Sequence, residues 1–390
     1  MKVLLVTHKP FLPTIDGGNA ATLALVQQLI AEGVDLDYLT LCSEKHPFKK
    51  EVFAESSFSQ IPTSFSAVDL RFRPLQAILS LFRGKSYHLN RFESFDLVEQ
   101  FKTCVEKSNF DILLFDSLFS AQMIEQFKIV APKKTYVLRT HNVEHVIWEK
   151  KAKSEKNTFK KFYLSLLANQ LKKREIEILN QFDVVLPISQ LDGAIFEKIT
   201  KVKTINFPYF PDSIGEKWKF EANRCFHFGA MNWHPNQESY FQLTESIFPE
   251  VQKQCPALEL FVAGSFMEKL PQPKDPNIHH LGFVEDKNVF LCSHGPLLAP
   301  ISSGSGVRIK IIEALSMGVP VITTKQGMEG IPIEDGEGIL ICATQEEFIL
   351  KTIDLCKNQE KSEHLSRKAL EFMEKWQKNT SLLTIFEANV

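Results

Sequence analysis

The sequence lacks the features that mark most secreted, membrane-spanning and metal-ribbon proteins. Its seven cysteines occur singly, with no Cys-x-x-Cys pair, which argues against a zinc ribbon, a redox dithiol or a disulfide framework. No stretch approaches about 18 consecutive apolar residues, and the apolar part of MKVLLVTHKP is too short for a signal peptide. We therefore expect a soluble cytoplasmic protein, with a peripheral position at the inner face of the membrane as the one alternative.

Strong charge of either sign is also missing. The formal net charge is −2, which gives no overall attraction to nucleic acid or to an anionic membrane, so no nucleic-acid partner is expected. The 390 residues are 44% hydrophobic and 24% charged, enough for two domains that each have a core of their own.

What the sequence does contain is a double series of short, β-branched apolar runs separated by amphipathic stretches, such as 19–32 and 93–107. The first series is 2–8, 35–41, 111–116, 134–140 and 183–189, and the second begins near Cys225 and continues at 258–264, 277–284, 295–300, 319–324 and 337–343. This βαβ rhythm predicts an α/β protein with two parallel sheets in two Rossmann-like domains.

The prolines of NFPYFPDSIGEKWKF (206–220) indicate the domain boundary. We predict an N-terminal domain of residues 1–205 and a C-terminal domain of residues 206–370. In open α/β folds, ligands bind at the carboxyl ends of the strands, so we expect the two sheets to face each other across a cleft.

Glycine loops follow strands in both halves. In PTIDGGNAAT (13–22), Gly17 and Gly18 follow the first strand and Asn19 is a candidate N-cap, with a simple tight turn as the alternative explanation of the glycines. The stretch SSGSGVRIKIIEALSMGVPVITT (302–324) predicts a glycine loop, a helix over 307–317 ended by Gly318, and a buried strand. A glycine loop that leads into a helix N-terminus forms an anion site.

The run from 282 to 331 resembles the C-terminal half of family 4 glycosyltransferases, which are retaining enzymes of the GT-B fold. Three further segments, GAMNWHPN (229–236), RTHNVEH (139–145) and DGGNA, extend the resemblance to most of the chain. The resemblance is weakest between residues 45 and 110. The resemblance also implies that a C-terminal helix of about 371–390 crosses back to the first domain.

The resemblance implies roles for particular residues. Glu313 would hold the ribose of a nucleotide, against the alternative of a surface pair with Lys310. Arg308 and Lys310 would neutralise the departing diphosphate without a metal ion. The implied donor-binding set is Gly17, Gly18, Gly229, Gly282, Phe283, Val284, Ser303, Gly304, Ser305, Gly306, Val307 and Glu313.

Two departures from the family pattern stand out. Ser305 occupies the position of a second Glu, and Asn232, Trp233 and His234 stand where the family commonly has an Arg and a Lys. The first departure bears on recognition of the donor sugar and on activity itself.

His141 would lie at the end of a strand of the first domain and contact the donor sugar. A metal pair of His141 and His145 is not expected, because neither an HExxH order nor a third ligand accompanies them. We expect no metal and no cofactor.

The stretch RFRPLQAILSLFRGKSYHLNR (71–91) contains five cations and no acid. It predicts a basic amphipathic helix. Packing on its own domain is one interpretation, and contact with a membrane surface or a lipid-linked acceptor is the other.

Together these observations predict a retaining, metal-independent hexosyltransferase. It would move a sugar from a nucleotide sugar to a saccharide or lipid-linked acceptor in cell-surface polysaccharide or glycoconjugate synthesis. A GT-B epimerase and a non-catalytic nucleotide-sugar-binding protein remain as alternatives.

Overall fold

The computed structural model describes residues 1–211, 217–304, 306–378 and 380–389. The chain divides into two compact units, one formed by Met1–Pro208 with the residues from Leu382 onward, and one formed by Tyr209–Ser381. Each unit contains one parallel sheet, which confirms the predicted α/β class with two Rossmann-like halves.

The first unit has a seven-stranded sheet in the order β3-β2-β1-β4-β5-β6-β7, and every described pair is parallel. Its strands are β1 (Lys2–Thr7), β2 (Asp35–Cys42), β3 (Thr63–Ala67), β4 (Ile112–Asp116), β5 (Thr135–Thr140), β6 (Val184–Pro187) and β7 (Lys203–Thr204). Its helices are α1 (Gly17–Ala31), α2 (Lys50–Ala54), α3 (Pro74–Phe82), α4 (Tyr87–Asn90), α5 (Phe95–Lys107), α6 (Ile124–Val130), α7 (Glu144–Ser154), α8 (Thr158–Leu179) and α9 (Gln190–Ile199).

The central strands are apolar on both faces because helices cover both. In β1, Leu4 and Val6 join one buried cluster, whereas Val3 and Leu5 join the cluster on the opposite face. This alternation is the period of two expected for a strand, and burial on both faces is typical of parallel sheets.

Helix α1 begins earlier than the sequence suggests. The prediction of Asn19 as N-cap is wrong: Asp16 is the N-cap, and its carboxylate accepts a hydrogen bond from the Asn19 backbone N–H at 3.0 Å. The Asn19 Oδ1 in turn accepts a hydrogen bond from the Asp16 backbone N–H at 3.2 Å, so the two residues form a reciprocal capping box.

The second unit has a six-stranded parallel sheet in the order β10-β9-β8-β11-β12-β13. Its strands are β8 (Arg224–Phe228), β9 (Glu259–Ala263), β10 (Ile278–Gly282), β11 (Leu297–Ala299), β12 (Val321–Thr324) and β13 (Ile339–Cys342). Its helices are α10 (His234–Phe241), α11 (Phe248–Gln254), α12 (Lys287–Cys292), α13 (Ile309–Ser316), α14 (Gln345–Lys357) and α15 (Gln359–Lys378).

Helix α13 is shorter than the predicted 307–317. Arg308 occupies its N-cap position with a non-helical backbone, and Gly318 follows its end at a φ of +74°. Glycine suits that φ, and a side-chain carbon there would also lie only 2.8 Å from Ser366 Oγ.

The C-terminal segment differs from the single helix predicted for about 371–390. Helix α15 stays in the second unit, where Leu365, Ala369 and Met373 are buried, and a separate helix, α16 (Leu382–Asn389), joins the first unit. Leu382 and Phe386 are buried in the core of the first unit. The second unit extends from 209 to 381, whereas the sequence predicts 206 to 370.

The stretch 71–91 forms two short helices instead of one. Gly84 follows α3 at a φ of +66°, and α4 begins at Tyr87. A positive φ interrupts a right-handed helix, so the predicted amphipathic helix is confined to α3. Of the helices in the described ranges, none combines the length and the apolar character that crossing a bilayer needs.

Candidate functional site

The glycine loop of the second unit follows β11 and leads into α13. Gly304 and Gly306 have φ values of +93° and +84°, in the region that favours glycine. A side-chain carbon at Gly304 would lie 3.0 Å from the Pro235 ring and 3.3 Å from the Trp233 ring. The loop therefore packs closely against the start of α10. Ser305, predicted as a donor-binding residue, lies outside the described residues.

Arg308 is directed into this loop. It is only 3% exposed, and its Nη1 donates to the Gly306 carbonyl at 2.6 Å while Nη2 donates to the Ser303 carbonyl at 3.2 Å. Its guanidinium carbon lies 5.4 Å from the centre of the Trp233 ring, a cation–π contact. Arg308 thus holds the glycine loop in shape from within.

Other polar contacts hold the loop from outside. The Ser303 hydroxyl donates to the carboxylate of Glu238 on α10, and Gln326 Nε2 donates to the Gly304 carbonyl at 3.2 Å. Loop N–H groups held in a fixed arrangement at a helix N-terminus are suited to an anion.

Lys310, in the first turn of α13, donates to Asn236 Oδ1 at 2.9 Å. Asn236 itself needs Gly229, because a side-chain carbon at that position would lie 2.6 Å from Asn236 Nδ2. Burial of the ammonium group among protein atoms, followed by the charge of Arg308, lowers the pKa of Lys310 to about 7. A neutral amide is the partner of this cation, so an arriving anion would be attracted to it.

Glu313 lies one turn further along α13 and is 4% exposed. Its Oε1 accepts hydrogen bonds from Lys287 Nζ at 2.7 Å and from the Tyr209 hydroxyl at 3.0 Å. The alternative of a surface pair with Lys310 does not occur, since Lys310 bonds Asn236 instead. The carboxylate is thus fixed in the interior by two donors that the sequence analysis missed.

The predicted residues of β10 occupy a different part of the same edge. Gly282 ends β10 at a φ of +73°, its carbonyl accepts the Gly264 N–H at 2.8 Å, and Phe283 is exposed. Two strands, β9 and β8, separate β10 from β11 in the sheet. Val284 and Val307 are each partly exposed.

In the first unit, His141 follows β5 and bonds the carboxylate at the end of β4. Its Nε2 lies 2.7 Å from Asp116 Oδ1, and Asp116 also accepts from Arg139 Nη1 at 3.0 Å and from the Thr22 hydroxyl at 2.6 Å. Because an ionised carboxylate only accepts, Nε2 carries the proton and Nδ1 is the nitrogen presented to a ligand.

The electrostatics of this cluster come from complete burial. Burial alone would raise the pKa of Asp116, but the charges of His141 and Arg139 and their hydrogen bonds hold it well below its usual range. Burial, with the charges of Lys9 and His141, lowers the pKa of His8 to about 3. Asp116 therefore stays a carboxylate that fixes the His141 ring.

Gly17 and Gly18 form the first turn of α1. A side-chain carbon at Gly18 would lie 2.6 Å from Lys9 Nζ, and Lys9 pairs with the N-cap Asp16 at 2.6 Å. The glycine is therefore more than a tight turn, because it makes room for a cation at a helix N-terminus.

His141 and His145 do not face one partner, since His145 Nδ1 bonds Glu175 Oε2 at 2.6 Å. Within the described ranges, no three or more His, Cys, Asp or Glu side chains are grouped as metal ligands would be.

Three of the residues that the sequence analysis missed, Asp116, Asn236 and Lys287, share one signal. Asp116 ends the apolar run of β4, and Asn236 and Lys287 follow strands near glycines of the predicted donor set. Polar residues at the ends of parallel strands, or in the segments that follow them, lie at the ligand-binding edge of the sheet.

Comparisons with known proteins bear on both units. Residues 222–358 match the family model described as glycosyl transferases group 1. An uncharacterized 44.6 kDa protein in the cps region of Klebsiella pneumoniae is 23% identical over 420 aligned residues that cover both chains in full.

Solved structures of glycosyltransferases share the fold along the whole chain. Sucrose-phosphate synthase from Thermosynechococcus elongatus has a TM-score of 0.68 at 14% identity, over 97% of this chain and 96% of that one. TarM of S. aureus has a TM-score of 0.66 at 12% identity, over 99% of each chain. HepE of Anabaena, in complex with UDP and glucose, has a TM-score of 0.64 at 14% identity, over 99% of this chain and 97% of that one. The chain therefore has the GT-B fold, and its residues 222–358 are similar to the glycosyl transferases group 1 family.

Proposed function

We propose that the chain is a retaining glycosyltransferase that moves a sugar from a nucleotide sugar to a saccharide or lipid-linked acceptor in cell-surface polysaccharide synthesis. The group 1 match and the relative in a cps region support this assignment. The observation that carries it is the combination, on one short helix, of a buried carboxylate with two cations beside a glycine loop.

Glu313 serves as the ribose ligand. Lys287 and Tyr209 both bond Oε1, which fixes the carboxylate plane and leaves Oε2 to receive a ribose hydroxyl. This interaction is the same before and during bond cleavage, so it contributes to binding rather than to turnover.

The diphosphate is received by Lys310 and by the N–H groups of the glycine loop. As the bond between sugar and phosphate breaks, negative charge grows on the nucleoside diphosphate, and donors already in position stabilise that charge. Arg308 acts largely through the loop, because two of its N–H groups hold the carbonyls of Ser303 and Gly306. These groups supply the positive charge that a metal ion supplies elsewhere, so we infer metal independence.

His141 acts on the donor sugar. With Nε2 bonded to Asp116, Nδ1 is directed to a sugar hydroxyl or to the charge that develops on the ring. Retention of the anomeric configuration rests on the resemblance to family 4 enzymes, and NMR of the anomeric proton of the product would test it.

The experiment that tests the function has a binding step and a turnover step. A thermal-shift screen with UDP-, GDP- and ADP-sugars, with UDP first because HepE and TarM were solved with it, should identify the donor. Incubation with that donor and oligosaccharide or lipid-linked acceptors in EDTA should release nucleoside diphosphate and form a new glycoside.

Matched variants make the result specific to the site. Lys310→Met and Glu313→Gln should weaken the nucleotide shift, whereas Lys274→Met and Glu268→Gln, at exposed positions of the same unit, should not. An epimerised donor would instead show an epimerase. Equal nucleotide affinity in all four variants would disprove the proposed site.

A further inference from the structure

Helix α3 of the first unit exposes three large apolar side chains to the solvent. Leu75, Leu79 and Phe82 recur at the spacing of one helix face, and Phe82 is 87% exposed. Ala77, on another face of α3, is buried. Helix α3 therefore packs on its own unit through Ala77 and turns Leu75, Leu79 and Phe82 to the solvent.

Helix α8 does the same in its first half. Phe159, Phe162 and Leu166 lie at i, i+3 and i+7 and are exposed, with Phe159 at 90%. The core side of this helix is filled separately by Leu164, Ala168 and Leu171, which are buried. The exposed stripe is thus additional to the residues that fill the core.

The two apolar faces adjoin each other. Gln170 lies one helical turn beyond Leu166, and its Nε2 donates to the Leu81 carbonyl at 2.9 Å, directly before Phe82. The stripe of α8 therefore leads to the C-terminal end of α3. We call the side chains of Leu75, Leu79, Phe82, Phe159, Phe162 and Leu166 the apolar surface.

Cations surround the apolar surface. The flanking segments 69–91 and 153–163 contain nine Lys and Arg residues against two acids, in a chain whose formal net charge is −2. Asp69 pairs with Arg71 and Arg73, and Glu155 pairs with Lys160, whereas Arg83, Lys85 and Lys161 are exposed. Arg71, Arg73 and Arg91 also line a small polar cavity of about 250 Å³.

This charge pattern decides between two occupants of the surface. A second copy docked through the same face would bring cation against cation, which disfavours a two-fold dimer. An anionic bilayer offers acyl chains to the apolar side chains and negative headgroups to the cations. Large exposed aromatic side chains bordered by Lys and Arg match that arrangement.

We propose that the chain docks peripherally on an anionic phospholipid bilayer through the apolar surface, with α3 and the start of α8 lying in the interface. The aromatic and leucine side chains enter the acyl boundary, and the surrounding cations contact lipid phosphates. The docking does not depend on the proposed glycosyl transfer, and binding can be measured without donor or acceptor.

Vesicle flotation of the full chain tests this. Binding to phosphatidylcholine vesicles with about 30% phosphatidylglycerol should exceed binding to phosphatidylcholine alone by about tenfold or more, and should weaken with salt. Phe82→Ser with Phe159→Ser should reduce binding by about tenfold or more, since each removes a large inserted ring. Arg83→Glu with Lys85→Glu should also reduce it by about tenfold or more.

The matched control is Ile129→Ser, which removes an apolar side chain that is 78% exposed on α6 of the same unit and should leave binding unchanged. Thermal melting of each variant at the wild-type temperature verifies that the fold is intact. Equal binding to neutral and anionic vesicles, or none to either, would overturn the proposal. So would a dimer in light scattering that Phe82→Ser with Phe159→Ser dissociates.

Discussion

The two polar clusters of this protein are built on opposite electrostatic principles. In the first unit, Asp116 is completely buried and its carboxylate is met by Arg139, His141 and Thr22. In the second unit, the cations Arg308 and Lys310 lie near each other, and the bonds of both described above go to neutral oxygens. The first cluster pairs a buried carboxylate with a cation, whereas the second places two cations beside neutral hydrogen-bond acceptors.

This difference teaches what each cluster is organised to do. A satisfied buried network is rigid, and it can hold one ring nitrogen of His141 in a fixed direction. Burial of the Lys310 ammonium group, followed by the nearby charge of Arg308, lowers the pKa of Lys310 to about 7, so its charged form costs free energy until an anion arrives. Substitutions in the first cluster should therefore chiefly lower the free energy of unfolding, and substitutions in the second should chiefly affect ligand binding and turnover.

The largest expected effect is the loss of stability in Asp116→Ala. The variant leaves the buried Arg139 cation without its counter-charge, and removing one partner of a buried pair costs about 3 to 5 kcal/mol. Urea unfolding should show this, while Asp96→Ala at an exposed position should cost little. A fully stable Asp116→Ala protein would mean that the network is not what orders this part of the first unit.

The next largest effect concerns turnover and the cluster of the second unit. Arg308→Ala should lower kcat by about a hundred- to a thousandfold, the loss expected of about 2.7 to 4 kcal/mol when a preorganised donor is removed. Arg308→Lys should not restore activity, because one ammonium group cannot replace a planar fork that bonds two carbonyls. Arg367→Ala, at an exposed position, is the control. Steady-state kinetics with unchanged kcat in Arg308→Ala would reject its role.

Free nucleotide affinity should respond most to Glu313. Glu313→Gln weakens its acceptance of a ribose hydroxyl and leaves the Lys287 cation unpaired, for a loss of about 1 to 3 kcal/mol in nucleotide binding. Because the interaction is uniform, KM should rise while kcat changes little. Calorimetry with the nucleoside diphosphate measures the loss directly, and a fall in kcat with unchanged affinity would contradict the ribose role.

The fold could be predicted from the sequence more fully than the contacts of the candidate site. Apolar runs such as KVLLVT and ILLFD form strands because they must be buried on both faces, and their order along the chain suffices for a parallel sheet. Helix limits were less predictable. Asp16, and not Asn19, is the N-cap of α1. Both residue types are favoured at N-caps, so the local sequence does not decide between them.

The contacts of the site lie beyond sequence patterns because they join residues far apart in the chain. Glu313 meets Lys287 and Tyr209, and His141 meets Asp116, only after strand order has been set. The apolar surface could not be predicted for another reason. Apolar residues at helical spacing indicate an amphipathic helix, but the sequence does not say which side of it faces the core.

The smallest effect is the pH dependence of nucleotide binding, which tests the charge of Lys310. In the free protein the pKa of Lys310 is about 7, lowered by burial and then by Arg308, and a bound diphosphate must raise it. Below that pKa the ammonium form is already present, so affinity contributed by Lys310 should be constant there. Above it, binding must take up a proton, and affinity should fall by up to about tenfold per pH unit until the pKa of the complex is reached.

Calorimetry of nucleoside diphosphate binding between pH 6 and pH 9, in buffers of different ionisation enthalpy, would measure both the fall and the proton uptake. Lys310→Met should bind more weakly at pH 6 and lose most of the pH dependence, and what remains reports titration of the nucleotide. Lys274→Met should titrate like the wild type. The same pH dependence in Lys310→Met and in the wild type would show that Lys310 does not receive the diphosphate, and the contrast between the two clusters would then rest on Arg308 alone.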